Sequence, residues 1–201
     1  MNDAFNTGVK IRKSKDMRVI SGTARGVKLR PPSGAETRPL TDRAKESLFD
    51  IILPQIPDCR FLDLFAGTGA VGIEALSRGA SHATFVELSK RIYGDLSWNL
   101  EHTRLAQCAV AHNRDAFQFL RKSQEPPFDV IFVSPPQWRN LCQYALDALC
   151  KEIRLLAPGG MVITQHDPRE SVRVNSEVLT KYRQKLYGNV QFDFYKRPDA
   201  G

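Results

Sequence analysis

One feature constrains this chain more than any other: an apolar run that ends in an acidic residue and breaks into a glycine turn, Phe61-Leu62-Asp63-Leu64-Phe65-Ala66-Gly67-Thr68-Gly69-Ala70. The run predicts a buried strand, the glycines allow a sharp turn, and Val71 to Ser77 continues at helical spacing. Open α/β sheets are built this way, and they bind ligands beyond the carboxyl ends of their strands. The alternation continues with Ala83 to Glu87 then Lys90 to His102, Ala109 to Ala111 then Ala116 to Arg121, and Val130 to Val133 then a helix over roughly Leu141 to Leu156. A turn at Pro158-Gly159-Gly160 and a strand from Met161 to Gln165 follow. Lys185 to Tyr187 and Val190 to Tyr195, joined at Gly188-Asn189, predict a hairpin, which only antiparallel strands permit. The expected fold class is therefore α/β, a Rossmann-like sheet that is parallel except for an antiparallel last strand.

At 201 residues, 42% of them hydrophobic, the chain can bury one sizeable core. Residues 1–16 are polar and aperiodic and read as a flexible extension. Met17 to Ser21 and Val27 to Leu29 flank Gly22-Thr23-Ala24-Arg25-Gly26 and predict a small basic hairpin, making 17–40 an appendage and 41–201 the main domain. Thr41 is placed to cap a helix carrying Ala44, Leu48, Ile51 and Ile52 and ending before Pro54. The net charge of +7 lies entirely at the N-terminal end, where residues 1–45 hold eleven Lys/Arg against four Asp/Glu. A basic segment on a neutral body suits a polyanionic partner, although a solvated tail has the same composition. No apolar run is long enough for a membrane span and no secretory signal is visible, so a cytoplasmic protein is expected. Cys59, Cys108, Cys142 and Cys150 form no CxxC pair, His82, His102, His112 and His166 are equally scattered, and no metal site is expected.

Gly67 to Gly72 matches GxGxxG, so spacing alone leaves a dinucleotide open. Asp63 argues otherwise, because a carboxylate beside the loop repels a diphosphate and attracts an ammonium. Glu87, ending the second strand, is placed to accept hydrogen bonds from ribose hydroxyls. S-adenosylmethionine satisfies both demands. The antiparallel last strand points the same way, to the class I methyltransferase sheet rather than a dehydrogenase. Phe65, Gly67, Gly69, Leu88 and Ala116 complete the expected cofactor surface, and Asp115 is placed to meet the adenine amine, to cap the next helix, or to do both. After the fourth strand, Ser134-Pro135-Pro136-Gln137-Trp138 offers a hydroxyl and carbonyls with no competing proline N–H.

That loop is similar to the D/N/S-P-P-aromatic motif of amino methyltransferases acting on exocyclic amines of bases. The chain as a whole resembles the RsmD family of 16S rRNA guanine-N2 methyltransferases. The resemblance rests on Met17 to Gly22 with Arg25-Gly26 and Leu29, and on Thr37-Arg38-Pro39 with Thr41-Asp42-Arg43 and Glu46 to Phe49. Leu62 to Gly69, Glu74 to Ala80, Val86-Glu87 and Leu155 to Gly160 extend it over nearly all of 17–196. It implies S-adenosylmethionine-dependent methylation of a guanine N2 in small-subunit rRNA, on the RNA itself or the assembling small subunit, by a monomer. It also implies that Ser134, Pro135, Pro136 and Trp138 are catalytic and that Arg25, Lys28, Arg38, Thr41 and Arg43 touch RNA. The chain departs from the family at Ser134, usually Asp, and at Gln137, usually Tyr or Phe. A DNA amino methyltransferase, or an RNA-binding assembly protein with altered catalysis, are the alternative readings.

Overall fold

The computed structural model describes residues 17–32 and 40–197. The chain runs α1 (Asp42–Ile52), β1 (Arg60–Asp63), α2 (Ala70–Ser77), β2 (His82–Glu87), α3 (Lys90–His102), β3 (Ala109–Asn113) and α4 (Ala116–Lys122). It continues with β4 (Phe128–Val133), α5 (Leu141–Lys151), β5 (Leu156–His166), β6 (Thr180–Tyr187) and β7 (Val190–Lys196). The seven strands form one sheet in the order β3-β2-β1-β4-β5-β7-β6. β3 through β5 are parallel, and β7 is antiparallel to both β5 and β6. The expected α/β fold is therefore present. Among the described residues, no helix is long and apolar enough to cross a membrane.

Strand periodicity divides the core in two, because successive side chains point to opposite faces. Phe61, Phe85, Val130, Phe132, Ile163, Phe192 and Phe194 pack with α1, α2 and α3, while Leu62, Leu64, Val86, Ile131, Val133, Val162 and Tyr195 pack with α4 and α5. α1 begins where Thr41 accepts the Ala44 N–H and buries Ala44, Leu48 and Ile52, the i, i+4 row expected from the sequence, with Phe49 beside them, whereas Ile51, also expected on that face, is half-buried.

Two expected elements take a different form. Residues 17–29 make the expected antiparallel contact, but as a single bridge, Arg18 to Lys28, rather than paired strands. The two arms exchange backbone bonds, Val19 N–H to the Val27 carbonyl at 3.0 Å and Leu29 N–H to the Met17 carbonyl at 2.8 Å, while the turn between them is tied to the body of the protein: the Ile20 and Ser21 N–H groups donate to Glu74 at 2.8 and 2.9 Å, and the Ala24 N–H donates to Ser77 Oγ at 3.0 Å. Val19, Ala24 and Leu29 join the core beside α1 and α2. Pro158-Gly159-Gly160 is a bulge within β5, not a turn before it. Phe128 pairs with Leu156 and Val130 with Met161, so Ala157 to Gly160 lie opposite Asp129 alone. α5 also ends earlier than expected, at Lys151, followed by a 3-10 turn over Ile153–Leu155.

Candidate active site

At the carboxyl end of β1 the chain turns through Gly67 (φ +54°) and Gly69 (φ +82°) into α2. A Cβ on Gly69 would stand 2.4 Å from Leu96 Cδ1, in a backbone region that favours glycine, so only glycine fits. Gly72 is required for another reason: a Cβ there would meet the Phe85 ring at 2.3 Å. The third glycine of the GxGxxG pattern thus serves helix-on-strand packing. Gly67 instead borders open space, where a Cβ would meet nothing within 4 Å.

Two carboxylates frame this loop. Asp63 is 2% exposed and its Oδ2 accepts the Gly72 N–H at 3.1 Å, tying the strand end to the first turn of α2. Burial pushes its carboxyl up to about 7; the Gly72 N–H opposes the shift and the Glu87 charge adds to it. Glu87 accepts the Gly67 N–H at 2.9 Å and the Ser89 N–H at 2.7 Å, one on each oxygen. Burial raises its pKa as well, against the pull of those amides. A carboxylate has about four lone-pair sites, so two amide bonds leave Glu87 able to accept further donors.

Leu88 follows with 69% of its surface exposed, an uncovered apolar side chain beside two carboxylates. Asn113 steadies this strand end by donating to the Glu87 and Leu88 carbonyls, each at 2.9 Å. Asp115 caps α4, accepting the Gln118 N–H at 2.8 Å, so the capping role anticipated for it is the one the structure displays. Ala116 is buried behind it, and Phe65 meets Phe117 edge-on at 6.2 Å. The loop holds no Lys or Arg between Asp63 and Gly72. This donor set, two carboxylates, open backbone and an apolar shelf, fits a nucleoside carrying an ammonium group and does not fit a diphosphate.

β4 lies beside β1, with the Leu64 N–H donating to the Phe132 carbonyl at 3.0 Å, so Ser134 to Trp138 leave the sheet next to the glycine loop. Ser134 is half-buried, Pro135 buried and Pro136 exposed. Gln137 is exposed as well. Trp138 adopts φ +67°, costly for a bulky residue by on the order of 1–3 kcal/mol, and leaves 57% of its surface open. Its N–H donates to Glu170, and the Arg169 guanidinium lies 4.5 Å from its ring centre.

The expected cofactor and catalytic residues therefore gather along the carboxyl ends of β1 to β4. Of the expected RNA contacts, Arg25, Lys28 and Arg43 are exposed, and Thr41 spends its hydroxyl on the α1 cap. Arg38 lies outside the described residues, as do residues 1–16, where the flexible extension is expected. Two structural residues escape a reading of the sequence. Asn99, fully buried on α3, donates to the Thr68 carbonyl at 2.9 Å and exchanges hydrogen bonds with the Arg30 backbone at 2.8 and 3.2 Å, joining the N-terminal segment to the glycine loop. Glu74, fully buried on α2, pairs with Lys45 at 3.0 Å and Arg78 at 2.8 Å. Glu74 lies inside a stretch that resembles the family, but no local pattern marks either residue as buried and bonded across the fold.

Comparison with known proteins gives one family and several relatives. The family model described as Conserved hypothetical protein 95 matches residues 17–196. Ribosomal RNA small subunit methyltransferase D of Haemophilus influenzae is 35% identical over 183 residues, covering 90% of this chain and 94% of the relative. The solved structure of Escherichia coli yhhF superposes with a TM-score of 0.81 at 33% identity, covering 92% of this chain and all of that one. An RNA methyltransferase from Salinibacter ruber, solved with S-adenosyl-L-homocysteine, shares the fold at TM-score 0.63 and 14% identity, over 82% of this chain and 96% of that one.

Proposed function

The chain belongs to the Conserved hypothetical protein 95 family, the RsmD family of methyltransferases, and from that premise we propose that it methylates the exocyclic N2 of a guanine in small-subunit rRNA, using S-adenosylmethionine. The observation that carries the reading is the placement of Ser134-Pro135-Pro136 at the end of β4, beside β1 and the glycine loop that Asp63 and Glu87 frame. The cofactor supplies an electrophilic methyl group on a sulfonium. Asp63 holds its ammonium end, Glu87 its ribose hydroxyls, and Leu88 its purine face, with Asp115 at the purine edge. Phe65, Gly67, Gly69 and Ala116 shape the remaining wall.

Ser134 Oγ and the Pro135 carbonyl each accept one hydrogen of the guanine amine, with Pro136 stiffening the turn. Two such bonds pull the nitrogen lone pair out of conjugation and aim it at the methyl group, so orientation and fixed dipoles supply much of the rate. Trp138 provides the aromatic surface that the family usually carries at the position of Gln137. Arg25, Lys28, Arg38 and Arg43 meet phosphates, and Thr41, at the cap of α1, touches the RNA beside Arg43. The substrate is small-subunit rRNA, as the RNA itself or within the assembling small subunit, and the enzyme acts as a monomer in the cytoplasm.

The test is transfer of labelled methyl from S-adenosylmethionine to purified small ribosomal subunits and to naked 16S rRNA, followed by nucleoside analysis. Labelled N2-methylguanosine, lost in Glu87→Ala and Ser134→Ala, is the expected result. Tight cofactor and RNA binding without transfer would instead favour the RNA-binding assembly role, for which the Ser134 and Gln137 departures are the motive.

A further inference from the structure

We infer that Glu170 and Arg169, on the loop after β5, are positioning residues that hold Trp138 as the stacking platform for the target base. This rests on the function proposed above and goes beyond it by assigning a second loop to the site. A tryptophan at φ +67° needs outside support, and two side chains of one short loop supply it. The Glu170 carboxylate accepts the Trp138 N–H, fixing the backbone. The Arg169 guanidinium backs the ring at 4.5 Å, a cation–π contact that covers one face while more than half of the side chain remains open.

Arg169 is itself held in place. Asp167 takes its Nε at 2.9 Å and its Nη2 at 3.1 Å, and also accepts the Arg169 backbone N–H at 2.9 Å. The Asp167 carboxylate is nearly buried, which gives the exposed arginine a firm anchor. Asp167 is fixed in turn by its carbonyl, 2.9 Å from Nδ1 of the buried His166, whose Nε2 lies 3.3 Å from Asp193 on β7. An uninterrupted chain of contacts therefore runs from the interior of the sheet to one exposed aromatic ring beside Ser134. A planar base flipped from an RNA loop is the ligand chemistry such a ring takes.

The experiment uses the full chain with Trp98→Phe, which leaves Trp138 as the single indole. Naked small-subunit rRNA is expected to quench Trp138 emission, and Glu170→Ala and Arg169→Ala are expected to weaken that quenching. In methyl transfer, Trp138→Ala should lose about tenfold in kcat/KM for RNA, mostly through KM. Glu170→Ala should lose a part of that, Glu170→Gln should stay near the parent because its amide oxygen still accepts the N–H, and the Trp138→Ala/Glu170→Ala pair should be no worse than Trp138→Ala alone. Additive losses, or emission indifferent to RNA, would overturn the assignment. Absence of methyl transfer with quenching intact would instead count against the function proposed above and leave the platform standing.

Discussion

At the scale of single residues, the proposed chemistry turns on one hydroxyl and one buried carboxyl. In the proposed reaction, Ser134, at the position where the resemblance to the family implies an Asp, accepts a hydrogen bond without bringing charge to a nitrogen that becomes positive. Losing one preorganised polar group of this kind costs about 3 kcal/mol, or about a hundredfold in rate. Ser134→Ala is therefore expected to lower kcat about a hundredfold, and Ser134→Asp to equal or exceed the parent; single-turnover methyl transfer decides, and an unchanged Ser134→Ala would remove the hydroxyl from the mechanism. Asp63 makes a prediction of the opposite character. Its folded carboxyl titrates at about 7 against an ordinary 3.8, so the proton favours the folded chain. That contribution is fully present below the ordinary value and is lost as pH rises through about 7. An ammonium ligand reverses the preference by binding the ionised form, so cofactor affinity should fall about tenfold per pH unit below the Asp63 pKa. Calorimetric titration between pH 5.5 and 8 checks the slope, with Asp63→Asn expected to be flat.

At the scale of elements, helices and strands are largely legible in the sequence because their periods survive in the apolar residues. The spacing predicts α3 at its observed bounds, and the apolar run Phe61-Leu62-Asp63-Leu64 predicts a buried strand, whose side chains enter a core on each face of the sheet. Less legible is whatever depends on a partner distant in sequence. Pro158-Gly159-Gly160 carries the composition of a turn, and only pairing with β4 turns it into a bulge within β5. Likewise Met17 to Leu29 alternates like a hairpin and bonds across its own arms, yet the N–H groups of Ile20, Ser21, Thr23 and Ala24 in its turn go to Glu74 and Ser77 on α2. At the site, Asp63, Glu87 and the glycines can be read because strand ends and turns are local, whereas Asn99, Arg169 and Glu170 cannot. Glu74 is the joint between these elements, paired with both Lys45 and Arg78 and bonded to two backbone amides. Removing one partner from a buried ion cluster leaves uncompensated charge, so Glu74→Ala should destabilise the fold by about 3–5 kcal/mol. Urea unfolding measures this, and a loss within about 0.5 kcal/mol, typical of surface positions, would refute the joint.

At the scale of the whole molecule, the division of charge and the position of the site make one argument. The net +7 resides in the first 45 residues, and the described part of that segment is riveted to α2 and, through Asn99, to the glycine loop. Under the proposed function, a basic surface fixed in this way holds the RNA in register with the carboxyl ends of the strands, rather than trailing it on a tether. Binding should therefore combine a salt-dependent phosphate component from the N-terminal segment with a salt-insensitive component from the loop at Ser134 and Trp138. Each cation that meets a phosphate contributes about 0.7 to 0.9 to the slope of log K against log salt. Replacing both Arg25 and Arg43 by alanine should lower the slope for small-subunit rRNA by about 1.4 to 1.8 and weaken binding at low salt, while leaving kcat at saturating RNA unchanged. Trp138→Ala should do the reverse, weakening binding at every salt concentration with the slope intact. If the double arginine variant kept the parental slope, the basic segment would be a solubilising surface and the phosphate contacts would have to lie elsewhere on the molecule.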